Sequence, residues 1–381
     1  MNKENQKTII LIAIGIVLLL CIVGVILVNF IFGNNNDNDN DNSNNNGINN
    51  IVSKSKGNKA IKKIYIDDLY GVVALTNSGD LYGIGDFDVI DEKDKDKVNL
   101  LATNVKDFGG ESSIYYIDNS NTLYRSGLNY EEGGSLDKFT KTFENVKSVD
   151  TSMKLCAGIT TNNNEMYLHQ GINVANSYCG ATNNQGVGYK KVADNAQTAI
   201  AAYYYNGYLD KNNNLYVSVD DGDTHTKLLE NIIDYEERIF GDYYLTEDGK
   251  LYFVYGIWVD NQKKIDYQEI EAEVESIELK EVIKKKDQKF YYIFYSQYDM
   301  LTTGMQDEIK LNIDDKAESI VYLKGGHDNG KAYIRKIIYI NSEGKYVLYV
   351  SNEENFIYKK LDNNIDSIAE IYSFINQKSS Y

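Results

Sequence analysis

Apolar residues along most of the chain form short runs separated by polar turns, and the unit they make recurs. One recurring segment has an apolar residue, any residue, a Ser, Asp or Lys, and usually a second apolar residue. Its copies lie about 43 residues apart, and self-similarity at such a period is typical of repeat architectures. The copies begin at Ile61, Val105, Val146, Val192, Ile232, Val274, Ala317 and Ile365. The pattern therefore predicts a repeat array from residue 60 to the end.

A second segment follows each of the first seven copies. It combines an apolar strand end, a turn rich in Asn, Asp, Ser and Gly, and a strand that usually opens on Leu-Tyr, which together predict a β-hairpin. Clear copies occupy residues 76–82, 118–124, 161–167, 210–216 and 246–252, and weaker ones residues 295–301 and 341–347. Too few residues follow Ile365 for an eighth hairpin. We therefore expect seven full repeats and one surplus strand.

Hairpin repeats of this length predict an all-β fold, a seven-bladed β-propeller over residues 60–381, because solenoids with this period are helical. Residues 72–75, 199–202 and 337–340 are continuous apolar runs. Strands with both faces buried have this composition, and blades stacked face to face bury both faces. We expect the surplus C-terminal strand around Ile365 to pair with the first blade and close the ring.

Residues 8–32 form an uncharged and almost wholly apolar run. About 20 apolar residues span a bilayer core, so the run predicts a single transmembrane α-helix ahead of the propeller. A buried core helix and a cleaved signal peptide are alternatives, although the apolar region of a signal peptide is usually shorter and ends in small residues. Lipidation of Cys21 is a third alternative. However, lipoprotein processing needs a small residue just before the cysteine, and leucines precede Cys21.

Charges beside the apolar run predict its orientation. Lys3 and Lys7 precede it, whereas residues 33–53 contain no Lys or Arg. The positive-inside rule places residues 1–7 in the cytoplasm and the propeller outside the cell membrane. Residues 33–59 start with a stretch made almost wholly of Asn, Asp, Ser and Gly, which buries too little apolar surface to fold, so we expect a flexible, disordered linker.

Composition narrows the classes of partner. The chain has 39 Lys and Arg against 56 Asp and Glu, a net charge of −17. Nucleic-acid binding needs concentrated basic surface, so no nucleic-acid partner is expected. Proline is absent, which excludes Pro-rich linkers and PxxP motifs.

Tyrosine is the clearest candidate binding signal, because aromatic rings bind sugars and anchor protein interfaces. The sequence has 33 Tyr and one Trp. Five tyrosines share one hairpin position, which is most simply a packing position: Tyr82, Tyr124, Tyr167, Tyr216 and Tyr252. Aromatic residues in the segments predicted between hairpins are the binding candidates: Tyr130, Tyr178, Tyr189, Tyr255 and Trp258.

Residues that could carry other chemistry are scattered. His169, His225 and His327 lie in different repeats without metal-ligand spacing, and the glycine pairs lack the Lys and helix of a phosphate loop, so neither a metal nor a cofactor is predicted. Cys156 is expected to be a buried thiol, with a disulfide to Cys179 as the alternative. The three arginines, Arg125, Arg238 and Arg335, fall in different repeats and are expected to be solvated. Acidic pairs are too common for a catalytic carboxylate to be singled out.

Residues 72–85, a buried strand, a Thr-Asn-Ser-Gly-Asp turn and a Leu-Tyr strand ending at Gly85, resemble the repeat of the regulator of chromosome condensation family. The resemblance extends over residues 60–260. The chain departs from the family pattern because the His before the Ala-Leu strand and the Trp before the closing Gly are missing, and the Gly-Gln-Leu-Gly end is a trace at residues 127–134. The resemblance implies a seven-bladed propeller that serves as a binding platform. It does not imply nucleotide exchange, since no matching contact residue is present.

The sequence thus predicts a membrane-anchored extracytoplasmic propeller that binds an envelope or extracellular protein or a glycan and is not an enzyme. Equivalent blades on a flexible tether, without a catalytic constellation, favour this hypothesis. The alternative is an extracytoplasmic enzyme of the glycan-active hydrolase type. It would require arginines or carboxylates clustered at one end of the propeller axis. An envelope protein without a specific ligand is a third hypothesis.

Overall fold

The computed structural model describes most of the chain from residue 59 onward. Its described ranges are 59–110, 114–128, 135–153, 156–170, 188–202, 205–219, 224–236, 241–259, 262–279, 281–294, 307–313, 317–328, 331–350 and 356–377. The predicted transmembrane run, the linker up to residue 58, and the candidates Tyr130 and Tyr178 lie outside these ranges. No helix within the described ranges has the length and apolar character needed to cross a bilayer.

The described residues form seven four-stranded antiparallel sheets, and each sheet takes four consecutive strands in chain order. We number these sheets as blades 1 to 7. Blade 1 holds β1 (Ile61–Asp67), β2 (Gly71–Thr76), β3 (Leu81–Gly85) and β4 (Asn99–Ala102). Blade 2 holds β5 (Val105–Gly110), β6 (Ile114–Asp118), β7 (Leu123–Leu128) and β8 (Ser135–Phe143). Blade 3 holds β9 (Val146–Met153), β10 (Cys156–Thr161), β11 (Glu165–Gln170) and β12 (Gly188–Asp194).

The remaining four blades follow the same order. Blade 4 holds β13 (Thr198–Ile200), β14 (Asn206–Leu209), β15 (Leu215–Ser218) and β16 (Thr226–Leu229). Blade 5 holds β17 (Ile232–Glu236), β18 (Asp242–Thr246), β19 (Leu251–Val259) and β20 (Gln262–Glu271). Blade 6 holds β21 (Val274–Leu279), β22 (Val282–Lys285), β23 (Phe290–Phe294) and β24 (Asp307–Lys310). Blade 7 holds β25 (Ala317–Asp328), β26 (Lys331–Asn341), β27 (Tyr346–Val350) and β28 (Phe356–Leu361).

The blades form a closed ring around an axis. The first strands of successive blades contact one another from β5 to β9 to β13 and from β17 to β21 to β25, and β25 contacts β1. The first strand of each blade is therefore the innermost one. Seven contacting four-stranded blades make a seven-bladed β-propeller, which confirms the predicted all-β class and blade number.

The continuous apolar runs are explained by the packing between blades. Every residue of β2 is buried, and its alternate side chains enter two different hydrophobic clusters: Val73 and Leu75 join Val105 and Phe108 of blade 2, whereas Val72 faces blade 7. Seven such clusters fill the seven gaps between neighbouring blades. A central strand has no solvent face in this arrangement, so the period-2 alternation of a half-exposed strand is lost.

The Asn-rich turns have a conformational reason. Each turn between the second and third strands of a blade has one residue with positive φ: Gly79, Asn121, Asn164, Asn213, Gly249, Gln288 or Gly344. Five connections between blades have another: Asn104, Asn145, Asn195, Asn231 or Glu273, with φ of 57–65°. Asn and Gly tolerate this left-handed region better than other residues. We call the side of the propeller formed by these turns and connections the turn face.

A repeated backbone hydrogen bond links neighbouring blades on the turn face. The N–H of Val105 in blade 2 donates to the carbonyl of Gly79 in blade 1 at 2.8 Å. The same bond, at 2.8–3.0 Å, joins Val146 to Asn121, Ala196 to Asn164, Ile232 to Asn213, and Val274 to Gly249. The left-handed residues therefore position the carbonyls that fasten each of blades 1 to 5 to the next blade.

Two predicted repeat copies are shifted. Val192 was predicted to open the fourth repeat, but it lies in β12, the last strand of blade 3, because the first strand of blade 4 is short and its apolar leading position is taken by Ala196. The hairpin between the second and third strands of blade 6 lies before residues 295–301, the predicted sixth copy, and those residues are outside the described ranges. The hairpin is formed by β22 and β23, and the sequence hid it because Gln288, with φ of 64°, takes the place of Gly or Asn in a charged turn.

The ring closes through a helix and not through the predicted surplus strand. Residues after blade 7 form a 3₁₀ turn (Ile365–Ser367) and helix α1 (Ile368–Asn376), and strand-like pairing is limited to a bridge between Ala60 and Asn364. Helix α1 forms because its apolar residues recur with helical spacing and all pack in the gap between blades 7 and 1: Ile368, Ile371, Phe374 and Ile375.

A buried lysine secures this helix. Lys336 of β26 is 4% exposed, and its ammonium donates to the carbonyls of Phe374 at 2.6 Å, Ile375 at 3.3 Å and Gln377 at 2.7 Å. Carbonyls at a helix C-terminus lack partners within the helix and carry partial negative charge. Burial lowers the pKa of Lys336, and the nearby Lys324 lowers it further. Lys336 thus couples blade 7 to the element that covers blade 1.

Candidate functional site

A pocket of about 440 Å³ lies on the turn face between blades 3 and 4. Its volume falls within the range of roughly 300–1,000 Å³ that is usual for small-ligand clefts. The lining residues come from the turns of both blades, the connection between them and the two central strands of blade 4: Asn164, Asn195, Gln197, Tyr208, Asp210, Lys211 and Tyr216. Aromatic rings, amides, one carboxylate and one ammonium group therefore surround a single cavity.

Blade 3 and the connection to blade 4 supply the amide wall, which consists of Asn164, Asn195 and Gln197. Asn164 and Asn195 are the two left-handed residues of this seam, with φ of 60° and 65°. Gln197 follows Asn195 in the same connection, and its Nε2 donates to Oδ1 of Asn164 at 3.0 Å. Lys147 of β9 holds the other end of the amide, because its ammonium donates to Oε1 of Gln197 at 2.7 Å. The Gln197 side chain is therefore fixed, whereas Asn195 is exposed at the edge of the pocket.

Blade 4 supplies the aromatic wall. Tyr208 of β14 and Tyr216 of β15 are directly paired across the two strands, and their rings are stacked with centroids 5.1 Å apart and planes 7° apart. His225 packs at 5.1 Å against Tyr208 and hydrogen-bonds to Asn206 at 2.9 Å. Both tyrosines are half-buried, and burial raises the pKa of Tyr208. The stacked rings thus form one side of the cavity.

The charged groups at the pocket are balanced. Oδ1 of Asp210 accepts from the backbone N–H groups of Asn212 at 2.8 Å and Asn214 at 2.9 Å, and Oδ2 accepts from the Asn214 amide at 3.1 Å. Burial raises the pKa of Asp210, but these hydrogen bonds outweigh it and lower the pKa overall. The carboxylate is ionised at neutral pH and lies next to the exposed ammonium of Lys211, so the lining has no net formal charge.

Close packing beside the axis defines the inner limit of this seam. A Cβ atom placed on Gly158 of β10 would lie 3.1 Å from the Cβ of Ala199 and 3.4 Å from that of Ala201. Blades 3 and 4 therefore approach closely at their inner strands. Farther along the same seam, the turn residues and the two tyrosines line the pocket.

Tyr189 and Tyr255, the two aromatic candidates whose side chains the structure describes, do not line this pocket. Tyr189, Tyr255 and Trp258 were expected between hairpins, but they lie in the regular strands β12 and β19, which are longer than the pattern suggested. The ring of Tyr189 packs on Phe143 at 4.8 Å, in the cluster between blades 2 and 3. The ring of Tyr255 is half-buried and stacked on that of Phe253 at 5.6 Å, and burial raises its pKa.

The pocket residues were missed for an identifiable reason. Tyr216 holds the repeated Leu-Tyr position, which was interpreted as a packing position, and its stacking on Tyr208 shows that it does pack. Blade 2 contains the same arrangement, because Tyr116 and Tyr124 stack at 4.8 Å, but there Phe139 packs edge-on against Tyr116. Whether a stacked pair also faces a cavity depends on the neighbouring blade, which a repeat pattern does not show.

Other residues considered for chemistry lie apart. Arg125 was expected to be solvated but is 2% exposed, on β7 beside the buried Tyr115. Arg335 is exposed on β26, and its guanidinium lies 4.8 Å from the ring centroid of Tyr333. Neither arginine is on an innermost strand, and Arg238 and Cys179 are outside the described ranges. Within those ranges no three His, Cys, Asp or Glu side chains are placed to hold a metal ion.

Comparison with known proteins adds structural likenesses of low similarity. No family model matches the chain, and no curated protein matches it in sequence. Prp20p from Saccharomyces cerevisiae is similar with a TM-score of 0.44 and 11% identity over 82% of this chain and 85% of that one. The C-terminal WD40 domain of Sif2 has a TM-score of 0.42 and 11% identity over 77% and 81%. Human WBSCR16 has a TM-score of 0.40 and 12% identity over 48% and 59%. The propeller assignment rests on the sheet topology and the closed ring.

Proposed function

We propose that this protein is a membrane-anchored, extracytoplasmic binding module that recognises a protein or glycan of the cell envelope or the extracellular space, and that it is not an enzyme. The pocket between blades 3 and 4 is the observation that carries the binding role. It combines apolar ring surface with a few placed polar groups, which is the usual composition of a ligand site.

The groups in the pocket favour binding over hydrolysis. Glycosidases use a pair of carboxylates that flank the scissile bond. Asp210 is the carboxylate that the described lining contributes, and both of its oxygens already accept hydrogen bonds from its own turn. A group held in this way stabilises the turn and is poorly placed to exchange a proton with a substrate.

Anchoring and location are part of the same proposal and rest on the sequence. The uncharged run at residues 8–32, with lysines before it and an Asn- and Asp-rich stretch after it, supports one transmembrane helix with the propeller outside. Protease added to intact cells should then digest the propeller while a cytoplasmic marker survives. Complete protection of the propeller, with digestion only after lysis, contradicts the orientation.

We also propose that the chain is a divergent member of the regulator of chromosome condensation repeat family. The repeat at residues 72–85 supports this, and it coincides with β2, the tight turn at Gly79 and β3.

The binding role is tested with the full-length chain in a mild detergent. Immobilised protein is incubated with solubilised envelope proteins and, separately, with envelope glycans, and bound material is quantified against the input concentration. Saturable capture that falls when the pocket is altered supports the proposal. Capture that never saturates, in both fractions, refutes it.

A further inference from the structure

The pocket between blades 3 and 4 offers hydrogen-bonding groups of both kinds around an aromatic wall. The amides of Asn195 and Gln197 each carry donor and acceptor atoms, and Lys211 is a donor. The hydroxyl groups of the two tyrosines in the aromatic wall can both donate and accept hydrogen bonds. Ring hydroxyls of a saccharide also donate and accept, while its C–H faces pack on aromatic rings. The lining therefore matches a polyhydroxylated ligand with apolar patches.

The charge balance of the pocket argues against an ionic ligand. Asp210 and Lys211 carry opposite charges, the Lys147 ammonium is bonded to Gln197 at 2.7 Å, and the Lys227 ammonium, which lies near Asp210 and Tyr216, is paired with Glu230. A phosphate or sulfate would face Asp210 without a dedicated cation, and an ammonium ligand would face Lys211. A neutral ligand meets neither repulsion.

The position of the pocket argues against an extended peptide. Peptides commonly add a strand to an exposed sheet edge through main-chain hydrogen bonds. Here the wall consists of turn residues and of β14 and β15, the two central strands of blade 4, whose main-chain groups are paired within the sheet. A compact ligand therefore suits the cavity better than a strand.

The wall is also fixed before a ligand arrives. Gln197 is held at both ends of its amide, Asn164 and Asn195 are in the left-handed turns that fasten blade 3 to blade 4, and the Tyr208 ring is supported by His225. A preformed site loses little conformational entropy on binding.

We propose that this pocket binds a neutral saccharide, of one or two sugar rings, between the Tyr208–Tyr216 wall and the Asn195–Gln197 wall. The inference rests on the proposed binding function and narrows it to a ligand class.

Isothermal titration calorimetry on the full-length chain in a sugar-free zwitterionic detergent tests the ligand class. The neutral probes are glucose, galactose, N-acetylglucosamine, cellobiose, lactose and chitobiose. N-acetylneuraminic acid and glucuronic acid are the charged comparison probes. We expect saturable binding of at least one neutral probe, and weaker binding of both charged ones. Absence of saturable binding for all six neutral probes, or tighter binding of a charged probe, overturns the inference.

Paired variants at equivalent repeat positions test the site. Asn195→Gly keeps the left-handed backbone and removes the amide, and we expect it to weaken binding about tenfold, as for the loss of one hydrogen bond. Asn231→Gly makes the same change in the next connection and should bind like the wild type. Tyr216→Leu should weaken binding at least tenfold, whereas Tyr124→Leu, in the corresponding stack of blade 2, should not. Equal losses in the pocket and control variants overturn the location.

The same variants separate this inference from the broader proposal. If neutral sugars fail but an envelope protein is captured saturably, and Asn195→Gly reduces the capture, the protein is a binding module and the saccharide inference is wrong. If sugars fail and nothing is captured saturably, both proposals are wrong.

Discussion

Truncating Phe374 should open the gap between the last and first blades. Phe374 is 1% exposed, and its ring contacts two elements of blade 7: the Lys336 ammonium lies 5.1 Å from its centroid and the Tyr358 ring 5.5 Å from it. Phe374→Ala removes most of a buried side chain and leaves a cavity, which typically costs about 3–5 kcal/mol. Loss of the cation–π contact with Lys336 adds about 0.5–2 kcal/mol.

This loss is large compared with the whole stability of a domain, which is roughly 5–15 kcal/mol. Because α1 joins blade 7 to blade 1, the effect should be concentrated at the closure and not spread evenly around the ring. Amide hydrogen exchange should therefore rise most in β1, β2 and α1, and less in blades 3 to 5.

Urea unfolding followed by tyrosine fluorescence measures the free energy. We expect the urea concentration at the midpoint to fall without a change in the slope of free energy against urea concentration. The shift should correspond to a loss of about 3 kcal/mol or more in the free energy of unfolding at about 25 °C. Ser373→Ala, an exposed position on the same helix, is the matched control and should change stability by less than about 0.5 kcal/mol. A loss below about 1 kcal/mol for Phe374→Ala, or uniform deprotection of all blades, would refute the view that α1 closes the ring.

Three further outcomes follow from buried polar contacts. Lys336→Met keeps the apolar stem but leaves the α1 carbonyls unpaired. The free energy of unfolding should fall by about 1–3 kcal/mol, and the amides of α1 should lose protection from hydrogen exchange. Unchanged protection contradicts the capping role. Tyr205→Phe removes the hydroxyl that donates to the fully buried Asp242, and it should lower the free energy of urea unfolding by about 1–3 kcal/mol. The control Tyr291→Phe removes a hydroxyl that is hydrogen-bonded at the surface and should lower it much less. Similar losses for the two variants speak against a buried network. Burial raises the pKa of Glu278 above 4.5, although hydrogen bonds from Ser276 and the Ile320 N–H oppose the shift. The contribution of Glu278 to stability is therefore greatest below pH 4.5 and is lost as the pH rises through the folded-state pKa. Glu278→Gln should remove this loss, and stability–pH curves that run parallel for the variant and the wild type would contradict it.

Much of the fold could be read from local patterns. Apolar runs such as residues 72–75 predicted central strands correctly, because a blade buried on both faces needs no alternation. The Asn and Gly turns predicted the hairpins at Gly79, Asn121, Asn164, Asn213 and Gly249, because these residues accept positive φ. The hairpin at Gln288 was missed, because its charged turn has Gln at the positive-φ position where the other copies have Gly or Asn.

The candidate site was much less accessible to sequence reasoning. Tyr216 occupies a position with a packing role that recurs in five blades, and Asn195 a turn position that recurs in five connections, so nothing in the repeat pattern separates them from Tyr124 and Asn231. Tyr189 looked distinctive in sequence because it broke the pattern, yet its ring packs between blades 2 and 3.

The sequence by itself determined the repeat, the blade number and most of the turn conformations, because each depends on the preferences of residues close together in the chain. Tertiary structure decided how the ring closes, where Arg125 and Lys336 are buried, and which stacked tyrosine pair borders a cavity. These features depend on contacts between residues far apart in the chain, up to the 307 positions that separate Lys59 from Asp366. In a propeller every gap has two walls from different repeats, and a pattern within one repeat describes only one of them.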